Sequence, residues 1–165
     1  MNISKALVSL ALVYATISTA HALPADSLYE LTINEPGSLT PIYTAKSKIS
    51  FKDSYPDLSD EQKHYVKRKF HNLGINDTPP YPSNGSGDLY RPLLKVGALN
   101  GETGKLLINA TIDINGQVSA IEVIESPSDH FANKASQIIN NTTFDAANCS
   151  GLNCEMNFPI EIQFN

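Results

Sequence analysis

The two cysteines are the most reactive pair in the chain. Cys149 and Cys154 enclose Ser150, Gly151, Leu152 and Asn153. A redox dithiol more typically has two intervening residues at a helix start, so this spacing, with Gly151 to relieve the turn, reads as a structural disulfide. Closing so short a loop contributes about 2 kcal/mol, mainly by restricting the unfolded chain. A zinc site needs four ligands, and His64, His71 and His130 show no paired spacing, so no metal is expected. No nucleophile elbow, phosphate-binding glycine loop, HExxH or kinase-type set occurs, so neither an enzyme nor a cofactor is expected. Asp113, Glu122 and Glu125 fall at solvent-side spacing in a strand pattern. Sequons stand at Asn76, Asn84, Asn109, Asn140, Asn141 and Asn148.

With catalysis set aside, the remaining chemistry is that of binding. Lys63, His64, Lys67, Arg68, Lys69 and His71 crowd one segment and offer a docking patch for an acidic partner, although such runs are more often a solvated face. The segment itself reads as a helix over Asp60–Asn72. Ser59 and Gln62 have capping-box spacing, Val66, Phe70 and Leu73 recur at helical intervals, and Gly74 stands where a left-handed cap closes a helix.

The final third is the most legible region. Leu106, Ile108, Ala110, Ile112 and Ile114 alternate with Leu107, Asn109, Thr111 and Asp113, the period of a strand with one buried face. Asn115-Gly116 predicts a two-residue type I′ turn. Val118, Ile121 and Val123 supply a return strand whose phase slip predicts a bulge at Ser119 or Ala120. Ser126-Pro127-Ser128-Asp129 then opens a helix with Phe131, Ala135, Ile138 and Thr142 on one stripe. Phe158, Ile160, Ile162 and Phe164 form a last strand.

These elements predict an α+β fold, a three-stranded antiparallel sheet with a helix packed on one face. If the last strand lies beside the first it is an edge strand, as Pro159 suits. The backbone of Ile160 to Phe164 is then a template for a partner strand, guarded only by Glu161. The alternatives are that the chain before residue 58 covers this edge, or that a second copy does, making a self-associating envelope protein.

The ends and composition set the context. Ala6 to Ile17 is an apolar run too short to span a bilayer, followed by Ala20-His21-Ala22, so residues 1–22 read as a cleaved signal peptide. The net charge is −5, and −6 once Lys5 is removed, which argues against nucleic acid or anionic membrane as a partner. Residues 23–57, with four prolines and no sustained period, read as an extended arm in which Leu28–Ile33 and Lys48–Lys52 pair as weak strands. Residues 58–78 hold the accessory helix and residues 79–165 the main domain, with a short helical turn near Arg91 to Leu99 and Pro92 in its first turn.

In order, Pro80-Tyr81-Pro82, Gly104, Asp113-Ile114-Asn115-Gly116-Gln117-Val118, a strand ending at Ser126, a helix holding Ala135, and Phe144-Asp145-Ala146 before a terminal apolar strand resemble the TonB C-terminal domain. The resemblance covers about residues 79–165. It implies a periplasmic, non-enzymatic module linked to outer-membrane transport, binding the N-terminal peptide of a transporter through strand pairing. Tyr81 and Pro82 match the family's element near that contact, and Ile160, Glu161, Ile162, Gln163 and Phe164 match the strand that receives the peptide. The chain departs from the family in a longer stretch between Pro82 and Gly104, in Pro127 where a serine is usual, and in showing neither the membrane anchor nor the proline-rich spacer of an energy transducer.

Overall fold

The computed structural model describes residues 28–70 and 73–165; the signal-peptide reading over 1–22, and His71 and Asn72, lie outside them. Strand β1 (Tyr29–Asn34) turns back into β2 (Pro41–Ser47), with Leu31 opposite Ala45 and Ile33 opposite Tyr43. The expected second strand at Lys48–Lys52 is therefore displaced to Pro41–Ser47. Alternation decides this, because Tyr43 and Ala45 can share a face with Leu31 and Ile33, which are buried at 3% and 4% exposure. The described part of the proline-containing arm is thus a packed hairpin.

Helix α1 (Asp60–Lys67) starts on the Ser59/Gln62 capping box, in which each side chain accepts from the other residue's backbone N–H. It ends at Lys67, earlier than the expected Asn72, and Gly74 is no left-handed cap: its N–H donates instead to the Asp77 carboxylate at 3.0 Å. A two-residue strand β3 (Tyr81–Pro82) leads into α2 (Gly87–Asn100), which is much longer than the turn expected at Arg91–Leu99. Pro92 therefore lies inside the helix rather than in its first turn. The buried stripe Leu89, Leu93, Leu94 and Gly97 holds this helix on the core, and Gly101, at φ +64°, caps it.

The main sheet has the order β5-β4-β9, all antiparallel, formed by β4 (Gly104–Ile112), β5 (Val118–Glu125) and β9 (Met156–Phe164). Ile112 faces Val118 while Thr111 faces Ala120, so Ser119 is the extra residue of a bulge, as the phase slip predicts. A second shift between Leu107 and Ile108 makes Ile124 another extra residue. The Asn115-Gly116 turn is not type I′, which needs positive φ at both central residues, because Asn115 has none. Asp113 sets the turn instead: its carboxylate accepts from the N–H groups of Asn115 and Gln117, each at 2.8 Å, and Gly116 at φ +77° completes a longer loop that leaves Ile114 exposed.

Helix α3 (Asp129–Asn140) is capped by Ser128, which accepts from the Phe131 N–H, and buries Phe131, Ala135 and Ile139. Ile138 is half buried and Ile139 takes the core position instead. Both α2 and α3 cover the same face of the sheet, since the Phe164 ring meets Phe131 edge-on at 5.3 Å and also abuts Gly97. Between α3 and β9 run β6 (Phe144–Asp145), which pairs with β3, and the small hairpin β7 (Ala147–Cys149) and β8 (Leu152–Cys154). The Cys149–Cys154 disulfide closes that hairpin. Its turn residues, Ser150 at φ 53° and Gly151 at φ 91°, have the two positive values of the type I′ pattern expected elsewhere. No helix of the described residues is long and apolar enough to cross a membrane.

Candidate functional site

Strand β9 lies at one edge of the sheet, paired with β4 in an unbroken register from Gly104–Phe164 to Ile112–Met156. Its alternation assigns two different jobs. Phe158, Ile160, Ile162 and Phe164 are buried in the core, whereas Glu161 and Gln163 are exposed. Of the residues expected to receive a partner, Ile160, Ile162, Phe164, Tyr81 and Pro82 therefore present no free side chain. A partner strand meets Glu161, Gln163 and backbone.

Which backbone groups face outward follows from one contact. The Tyr43 hydroxyl donates to the Gln163 carbonyl at 2.9 Å, so the polar groups of Gln163 point away from β4. Residues two apart in a strand share that direction, so Glu161 and Pro159 also face outward. Pro159 has no N–H to leave unpaired there, which reconciles a proline with the strand. Between the closures the outward row then consists of the Gln163 N–H, the Glu161 N–H and C=O and the Pro159 C=O, with the Gln163 C=O already taken. The β1–β2 hairpin thus covers one end of the edge, and Tyr43 seals it further by lying 5.9 Å from the Phe164 ring. At the other end Phe70, just after α1, packs on Phe158 at 6.2 Å.

Between these two closures lies a groove of about 630 Å³, walled by β2 and the segment after it, by α1 and α2, and by β9. Its volume falls in the range of about 300–1,000 Å³ usual for ligand sites. Tyr81 and Tyr90 line it beside Ser86 and Glu161. Tyr81 is 2% exposed and its hydroxyl lies beside Ser86, whose hydrogen bonding opposes the rise in its pKa. Ser86 donates its hydroxyl to the Ser50 carbonyl at 3.3 Å, which leaves its oxygen able to accept from Tyr81. Burial pushes the phenols of Tyr81 and Tyr90 up, Tyr90 far above the ordinary range, so both stay protonated donors.

The charges on the groove are mostly basic. Glu161 is held by Lys105 at 2.9 Å, and that contact keeps its carboxyl below the usual range. Lys69 reaches the groove, and desolvation lowers its pKa against the opposing pull of Glu161. The other cations of the basic run are engaged locally: Lys63 donates to the Pro56 carbonyl at 2.7 Å, Lys67 to the Ile75 carbonyl at 2.9 Å, and Arg68 stacks over Tyr65. Of that run, Lys69 alone among the described residues lines the groove.

Tyr43, Phe51, Tyr65 and Tyr90 were not legible as site residues. The one available signal was the alternation of Tyr43 and Ala45 with Thr44 and Lys46, which marks a strand without saying what it packs on. Comparison with family models, curated proteins and solved structures finds no match.

Proposed function

We propose that this chain is a periplasmic protein-interaction module that docks a short extended segment of a partner, of the kind found at the N-terminus of an outer-membrane transporter, against the outer edge of β9. The supporting observation is the Glu161 and Pro159 backbone, which faces an open groove at the edge of a strand paired in unbroken register. The two closures leave roughly 14 Å of edge between Pro159 and Gln163 at about 3.4 Å per residue. That length suits a segment of three or four residues. Each backbone hydrogen bond contributes about 0.5–1.5 kcal/mol net, so so short a pairing is weak unless side chains add to it. The resemblance of residues 79–165 to TonB C-terminal domains supports the same reading, and the secretory pattern of residues 1–22 supports the compartment.

Titration of the ¹⁵N-labelled full chain with extended peptides should move the amides of Glu161 and Gln163 and the ring signals of Tyr43. Unchanged signals at millimolar peptide would end this reading.

A further inference from the structure

The groove walls carry information about the docked segment beyond strand pairing. Those from Tyr43 to Phe70 lie outside the part of the chain that resembles a known domain. Phe51, Tyr65, Phe70 and Phe158 make the groove an aromatic trough. The rim holds three lysines, Lys46, Lys48 and Lys69, against one carboxylate, Glu161, which Lys105 already occupies. Lys46 is itself engaged by Glu30 at 3.3 Å, whereas Lys48 and Lys69 have no carboxylate within bridging distance among the described residues. A basic trough in a chain of net charge −5 runs against the molecule's average.

We infer that the site selects an extended peptide carrying one large apolar side chain with Asp or Glu beside it. The apolar side chain fills the aromatic trough and the acid faces Lys69. This rests on the edge-docking reading above, and adds to it the chemistry of the partner.

Three acetylated, amidated pentapeptides test it by NMR titration of the full chain: Ser-Asp-Phe-Asp-Ser, the same with Phe replaced by Ala, and the same with both Asp replaced by Lys. The first should bind at least tenfold more tightly than either control. Lys69→Glu should weaken it at least fivefold and flatten its salt dependence. Equal affinities for the three peptides, with Glu161 and Gln163 amides still moving, would overturn the selectivity while leaving edge docking intact. No amide movement with any peptide would overturn both, and unchanged binding by Lys69→Glu would overturn the charge selectivity.

Discussion

Single side chains tie distant parts of this chain together, and Asp77 is the clearest case. Its carboxylate accepts from the Ser150 N–H at 2.8 Å and the Gly74 N–H at 3.0 Å, and these bonds, that of Ser150 foremost, hold its pKa below the ordinary 3.8. Asp113 is lowered in the same way, chiefly by the Gln117 N–H. A depressed carboxylate contributes stability above its unfolded pKa and loses it as pH falls through the folded value. The melting temperature should therefore hold from pH 7 to about 5 and fall below about pH 4. Asp77→Asn should lower it at neutral pH and shrink the acid loss, as thermal melts at stepped pH would show. Tyr43 is a second such link. Tyr43→Phe removes the bond to Gln163, 120 residues away, and should cost about 0.5–1.5 kcal/mol in urea titration while speeding hydrogen exchange at the β9 edge.

Elements meet here through a few tight contacts. Gly97 on α2 lets the helix approach β9 so closely that an added Cβ would overlap the Phe164 ring. That ring cannot yield easily, since it is 2% exposed and flanked by Phe131 and Tyr43. Alanine gains about 1 kcal/mol in helix propensity, and overpacking costs about 1–3 kcal/mol. Gly97→Ala should therefore destabilise the protein by about 1 kcal/mol, read from the urea midpoint. The disulfide acts at the same scale, on the β7–β8 hairpin alone. Reduction should lower stability by about 2 kcal/mol without unfolding the main sheet, visible as a lower melting temperature with preserved far-ultraviolet dichroism.

At the scale of the molecule, the sheet has two edges and manages them differently. Strand β5 carries two bulges and the charges Glu122 and Glu125, features that twist and guard an edge even though Val123 and Ile124 are exposed. Strand β9 has no bulge, and its ends are closed by neighbouring segments of the same chain. Neither edge suits pairing with a second copy, so sedimentation velocity at about 10–100 µM should give a monomer. A dimer abolished by Ile124→Lys would show that β5 associates after all.

The sequence by itself determined what depends on near neighbours: the Ser59 cap, the strand alternation, a bulge at Ser119 or Ala120 and the disulfide between Cys149 and Cys154. Each is a matter of a few residues and backbone geometry, so spacing suffices to read it. Turn type already exceeded that reach, because the two hydrogen bonds that the Asp113 carboxylate accepts outweighed the Asn-Gly preference. Tertiary structure alone decided the groove. The meeting of β2, the end of α1 and the β9 edge joins segments more than 80 residues apart, and it is chosen by which apolar faces fit together, a property of the whole packed core that no local pattern records.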